Sequence, residues 1–318
     1  MNQQLIDLKH KLAPIADLIK DKNDVFYLDY PLHLNVGDLL IYHGTEQFFT
    51  DHNIHVRLKR SEYDTNIDEI KQKITPNTTI LLHGGGNFGD LYPQHQNLRE
   101  AIVQTFPNNR IIVLPQTLFY KNPKTLEKST ALFRQHPDCH LLARDERTAK
   151  AFEAFSPNVY LSPDMAHELY GTLPTKNTHT GKALYFLRKD IEASDIEKNI
   201  TAQLPAGSHI KDWDDILSKR DSLVLALSWR LAKFANKYRL CWLKDLVQFV
   251  WKNYTLRIVK RVAQDFLGYD NITTTRLHGH IFSSLLEIPN VVCDNTYGKN
   301  TGYANLWTKG LDFVTFYK

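Results

Sequence analysis

The sequence predicts an α/β fold in two units, each a mostly parallel sheet with helices on both faces. Three observations carry this. The chain has 318 residues, about twice the roughly 150 of one ordinary domain. Hydrophobic residues make up 42% and charged residues 23%, proportions of a globular chain with sizeable cores, which excludes disorder, collagen and coiled coil. Short apolar runs alternate with helical patterns, the rhythm of βαβ units.

Taken in order, the N-terminal segment sets Leu5, Leu8, Leu12, Ile15, Leu18 and Ile19 at helical spacing between charges and Pro14. This is an amphipathic helix and not a signal peptide. Strands follow at Val25–Tyr30, Ile54–Leu58, Thr79–Leu82, Ile111–Leu114, Leu141–Ala143 and Val159–Leu161. The stretch Tyr170–Lys182 lacks apolar periodicity and concentrates turn formers, so it reads as the linker. Strand Ala183–Leu187 then opens a second unit, which ends with strand Asn271–Thr274, a helix from about His278 to Leu286, and strand Asn290–Cys293. The expected units are 1–172 and 173–318, with the last residues able to pack back on the first.

No apolar run approaches the roughly 20 residues that cross a bilayer, and the expected location is the cytoplasm. Cys139, Cys241 and Cys293 are odd in number, widely spaced and flanked by apolar residues. That argues against a disulfide frame or a zinc site and for three buried structural thiols. The net charge of +4 is too small to imply nucleic-acid binding. Its distribution is uneven: from Trp229 to Arg261 nine bases face only Asp245, interleaved with seven aromatic residues. Such a segment, part of an insert at about 217–261, suits an anionic membrane surface or another polyanion. The plainer reading is a solvated helix face packed on the second unit.

Parallel sheets present ligands at the carboxyl ends of their strands, so the loops there are where chemistry is sought. Thr79–Leu82 runs into His83-Gly84-Gly85-Gly86-Asn87-Phe88-Gly89, with a helix from about Gln94. Three consecutive glycines exceed what a turn needs and let a ligand approach the backbone beside a helix N-terminus. The order does not match GxGxxG, no GxxxxGK[ST] occurs, and without GxSxG a lipase oxyanion loop is excluded. Asn35-Val36-Gly37-Asp38 forms a second such loop, where Asp38 is either a ligand contact or a helix cap. Arg144, Arg188 and Arg276 each follow a strand. One alone would be a salt bridge, as with Asp145 or Glu146; three convergent guanidiniums describe a small, doubly anionic ligand. In Thr275-Arg276-Leu277-His278-Gly279-His280 two imidazoles stand at a helix start, where a protonated His can act as an acid. No third ligand completes a metal set, and His167-Glu168 lacks the second His of HExxH.

Asn35-Val36-Gly37-Asp38, Gly84-Gly85-Gly86-Asn87, Leu114-Pro115-Gln116-Thr117, Ala143-Arg144-Asp145, Leu187-Arg188, Thr275-Arg276-Leu277-His278 and Pro289-Asn290-Val291, in this order, resemble the polysaccharide pyruvyl transferase family over roughly residues 24 to 306. The resemblance implies two Rossmann-like domains in a GT-B-like arrangement with the active site in the interdomain cleft. It also implies phosphoenolpyruvate as donor, and as acceptor a sugar of a surface polysaccharide or its lipid-linked repeat unit, in capsule or exopolysaccharide biosynthesis. The family's donor-binding cations would fall on Arg144, Arg188, Arg276 and, within Asp294–Lys299, on Lys299; its catalytic histidine would fall on His278. Asn35, Gly37, Asp38, Gly84, Gly85, Gly86, Asn87 and Gln116 would form the acceptor side or its loops. The segment 217–254 departs most from the family pattern. Ketal formation needs acid catalysis and charge stabilisation, so neither cofactor nor metal is expected. Two other readings stand beside this one: a GT-B glycosyltransferase with a nucleotide-sugar donor, and a polyanion-binding module without turnover. A peripheral position at the inner face of the plasma membrane is expected if the acceptor is lipid-linked.

Overall fold

The computed structural model describes residues 1–189, 195–294 and 298–317 and contains two parallel sheets. The first comprises β1 (Val25–Leu28), β2 (Val56–Arg60), β3 (Thr79–Leu82), β4 (Gly85–Gly89), β5 (Arg110–Phe119), β6 (Cys139–Ala143) and β7 (Asn158–Leu161). Its order is β2-β1-β3-β5-β6-β7, with β4 beside β5. The second comprises β8 (Ala183–Phe186), β9 (His209–Lys211), β10 (Asn271–Thr274), β11 (Asn290–Val292) and β12 (Val314–Phe316), in the order β12-β11-β10-β8-β9. β1, β3 and β6 are buried along their whole length. Strands covered by helices on both faces are largely apolar, which is why Val25–Leu28, Ile80–Leu82 and Leu141–Ala143 read as apolar runs.

Three strands were not expected from the sequence. β9 and β12 are three-residue strands at opposite edges of their sheet, too short to show alternation. β4 is the glycine run itself, paired in parallel with β5, so that run is not a simple strand-to-helix loop. The following helix starts at Pro93, within one residue of the expected start. β5 runs past Leu114 to Phe119, and its pairing with β6 shifts register between Val113 and Gln116. Pro115, which has no N–H to donate, sits at that irregularity.

Residues 171–182 carry neither helix nor strand. Asp270 fastens this segment by accepting from the Thr180 and Gly181 amides and pairing with Lys176. One apolar cluster joins helix Val36–Asp51 to the second sheet through Leu184, Phe186 and the long helix Cys241–Leu267. That helix would be about 40 Å long and serves both sheets. Near its middle the buried Trp251 indole donates to Pro31 O (2.7 Å), and His43 lies 2.9 Å from Thr255 Oγ1. Near its end Phe266 packs edge-on against Phe186.

The basic aromatic segment spans the second half of helix Lys219–Lys237 and most of the long helix. Its inner face packs on residues of the first sheet's side, not only on the second unit as the plainer reading had it. Lys244 is buried and donates to Glu69 and to Asp64 O, and the Trp229 indole donates to Leu32 O. The three cysteines are free. Cys139 and Cys293 are buried, but Cys241, at the start of the long helix, is partly exposed, which corrects the expectation for that residue.

Candidate active site

A pocket of about 410 Å³ opens where the carboxyl ends of both sets of strands meet. Asp29 follows β1, Glu62 and Tyr63 follow β2, Arg144 follows β6, Arg188 follows β8, Trp213 follows β9 and Arg276–His278 follow β10. All of these except Asp29 line the pocket. Parallel strands aim their C-terminal loops to one side, which is how residues far apart in sequence come together.

Arg144 is buried, and its partner is neither Asp145 nor Glu146. Its Nη1 donates to Asp164 Oδ2 (2.6 Å) and its Nε to Thr117 Oγ1 (2.8 Å). Asp145 instead caps helix Glu146–Phe152. Arg276 lines the pocket while Asp212, from the loop after β9, accepts from its Nε and Nη2 in a fork. The Arg188 amide donates to Thr275 Oγ1 (3.0 Å), which ties the loops after β8 and β10 together. Lys299 opens helix Lys299–Trp307 and also lines the pocket. Asn295, Thr296 and Tyr297 of the same loop lie outside the described residues.

His278 is the second residue of helix Leu277–Leu285, and its Nε2 lies 3.2 Å from Asp164 Oδ2. Burial alone would raise the Asp164 carboxyl. His278, Arg144 and the Ala166 amide outweigh it and hold the group well below the usual carboxylate range. His280 points elsewhere: it is buried, with Nδ1 2.7 Å from Asn290 Oδ1 and Nε2 2.8 Å from Thr308 Oγ1.

Of the acceptor-side candidates, Asn35, Asp38, Gly86 and Asn87 line the pocket. The cap of helix Val36–Asp51 is Asn35, which accepts from the Gly37 amide; Asp38 stands in the first turn and is not the cap. Gly37 lies under His278, since a Cβ there would come within 2.6 Å of His278 Nδ1. At Gly86 a Cβ would lie 3.0 Å from both Arg144 Nη2 and Lys299 Nζ. Gly84 and Gly85 stand back from the pocket. A Cβ at Gly84 would meet Pro115 O at 2.8 Å, and Gly85 has a φ of 122°, which side chains rarely adopt. Gln116 is buried and donates to His83 O and Asn87 Oδ1, so it orients Asn87 and does not itself line the pocket.

Two groups escaped the sequence reading. Asp164, three residues past β7, lies at a strand end, the one signal of it in the sequence. The other is His95, which lines the pocket with its Nδ1 2.7 Å from Asp29 Oδ1. Arg99 donates to the other Asp29 oxygen (3.1 Å). Burial works against a charge on His95, yet Asp29 outweighs it and raises the His95 pKa. Asp29 itself has a φ of 68°, a left-handed conformation that costs free energy and recurs at functional sites. Asp29, Glu62 and His95 offer ligand atoms within 4.8 Å of one another, a set no sequence spacing revealed. The Arg99 guanidinium on Asp29 fits a hydrogen-bonded carboxylate better than a cation ligand.

The pocket therefore sets cations of both sheets beside two carboxylate-held imidazoles, a suitable lining for a small anion undergoing proton transfer. Comparison with known proteins agrees with a transferase. EpsO of Bacillus subtilis (strain 168), whose name assigns it provisionally to the pyruvyl transferases, is 38% identical over 310 residues, 96% of this chain and 92% of that protein. Pyruvyl transferase 1 of Schizosaccharomyces pombe (strain 972 / ATCC 24843) is 31% identical over 303 residues, 90% of this chain and 70% of that protein. The crystal structure of a functionally uncharacterized protein, KP1_0663 from Klebsiella pneumoniae subsp. pneumoniae NTUH-K2044, is similar with a TM-score of 0.56. It is 19% identical and covers 100% of both chains, a likeness of fold. The family model of the polysaccharide pyruvyl transferases matches residues 35–297, and the chain belongs to that family.

Proposed function

We propose that the donor is phosphoenolpyruvate and the product a pyruvate ketal on two hydroxyls of one sugar, in a surface polysaccharide or its lipid-linked repeat unit. The observation that carries this reading is the convergence of Arg144, Arg188, Arg276 and Lys299 with His278 on one pocket. A small molecule with one carboxylate and one phosphate matches such a lining, because guanidinium and ammonium groups donate charge-assisted hydrogen bonds to both. We also propose that 1–172 and 173–318 are Rossmann-like domains closing on this pocket in a GT-B-like manner, on the cytoplasmic side of the membrane.

In the proposed reaction the two acceptor hydroxyls add in turn to C2 of the donor, and the bond from C2 to the phosphate oxygen breaks. One hydroxyl proton ends on C3, making it a methyl group, and the other leaves with phosphate. His278, steadied by Asp164, supplies the proton, and the cations hold the carboxylate and neutralise the leaving phosphate. No electron changes hands, so the balance requires no redox cofactor, and no metal is assigned a step. Asn35, Asp38 and Asn87 would face the acceptor. Incubating the enzyme with phosphoenolpyruvate and candidate glycans tests the reading: phosphate release with a glycan mass gain of about 70 Da supports it. Release of nucleoside diphosphate from a nucleotide sugar, with no turnover of phosphoenolpyruvate, would replace it with glycosyl transfer.

A further inference from the structure

Helices Lys219–Lys237 and Cys241–Leu267 form a hairpin whose outward face is apolar where a water-soluble surface would be polar. Leu227, Phe234, Tyr238, Trp242, Leu246 and Phe249 are each between 47% and 65% exposed. At 100° per residue, Leu227, Phe234 and Tyr238 share one stripe of the first helix, with Arg230 about 60° and Lys237 about 80° from its centre. On the long helix, Trp242, Leu246 and Phe249 share a stripe that runs on into the exposed Arg257 and Lys260. Six such side chains on two packed helices are more than the singly scattered exposed hydrophobics of an ordinary soluble surface.

Charge decides what this face fits. Between Ser218 and Leu267 the sequence has eleven bases and three acids. Each acid is engaged within the protein: Asp221 by Arg261, Asp245 by Arg60, Asp265 by Lys211. An apolar aromatic stripe bordered by unopposed bases is complementary to the headgroup region of an anionic bilayer. No described helix is long and apolar enough to cross a membrane, so the hairpin would lie in the interface. The opposite, inward face of the hairpin reaches the pocket: Trp229 packs against pocket-lining Tyr63 at 5.4 Å between ring centres, and Lys233 stands over the same ring.

We infer that the outward face of this hairpin docks the protein on an anionic lipid bilayer. The inference stands apart from the pyruvyl-transfer reading, because its test needs neither donor nor acceptor. The measurement is flotation of the full chain with vesicles of phosphatidylcholine alone or with about 30% phosphatidylglycerol, at low and high salt. Binding to the anionic vesicles at low salt, released at high salt, is expected. The double variant Trp242→Ser/Phe249→Ser should lose tenfold or more in partitioning, and Arg257→Gln/Lys260→Gln about fivefold per base, with unchanged melting temperatures. Lys150→Gln, an exposed base of the first unit, serves as the control. The inference is overturned by absence of binding at low salt, by binding that ignores lipid charge, or by variants that bind like the wild type. It is equally overturned if sedimentation velocity shows a dimer that Trp242→Ser/Phe249→Ser makes monomeric while vesicles are not bound. The face would then belong to a second copy of the chain.

Discussion

His278 Nε2 lies 3.2 Å from the same Asp164 oxygen that accepts from Arg144 Nη1. One carboxylate from the first sheet's side therefore fixes both an imidazole from the second and a guanidinium from its own. A ring held this way has one defined orientation. Asp164→Asn keeps the shape and removes the charge. Turnover should fall by about 10² or more, with a smaller rise in the donor constant as Arg144 loses its anchor. Steady-state kinetics on the folded variant check this, and turnover within threefold of wild type would dissociate His278 from Asp164 functionally.

Gly37→Ala tests the same ring from the other side. By propensity alone, alanine inside a helix is favoured over glycine by about 1 kcal/mol. Here the added methyl would come within 2.6 Å of His278 Nδ1, so the ring must move. The expected outcome is a protein that melts near the wild-type temperature but turns over at least tenfold more slowly. Gly86→Ala should act on the donor constant instead, because its methyl would crowd Arg144 and Lys299 at 3.0 Å.

Much of this was legible in the sequence because the governing patterns are local. β1, β3 and β6 are apolar runs, and Arg144, Arg188, Arg276 and His278 follow strands within two or four residues of their ends. What was not legible depends on three dimensions. Asp164 matters only because Arg144 and His278 converge on it, and Asp29, just past β1, only because His95 approaches from helix Pro93–Thr105. The glycine run pairs as a strand because β5 extends beside it. The basic segment packs inward through Lys244 and Trp251 and outward through Trp242 and Phe249. A helix presents both faces in one sequence, so composition alone could not separate them.

His278 and His280 should separate cleanly. His278→Ala is expected to reduce turnover by roughly 10²–10⁴ with little change in stability. His280 is buried between Asn290 and Thr308, so His280→Ala should cost about 1–3 kcal/mol of stability by leaving those groups unpaired. Turnover of the remaining folded protein should stay close to wild type. Denaturant titration together with kinetics distinguishes the two, and loss of turnover confined to His280→Ala would move the acid away from His278.

The last prediction concerns Glu168, which takes no part in the pocket. It is buried on the short turn Met165–Leu169, with Lys9 Nζ 3.6 Å away. Among the described residues neither carboxylate oxygen has a hydrogen-bond partner. Burial pushes its pKa up to about 7, with Lys9 pulling the other way. A carboxyl whose folded pKa is raised binds more protons when folded than when unfolded, so stability falls as pH rises from about 4.5, the unfolded value, towards 7. Above that the full penalty applies, up to about 3 kcal/mol. Glu168→Gln has no charge to bury, so the variant should exceed the wild type in stability at pH 8, and the difference should shrink to almost nothing by pH 4. Denaturant midpoints of the two proteins across that range measure it directly. A difference that is constant with pH would mean that Glu168 stays ionised in the fold and that Lys9, despite its distance, compensates for its burial.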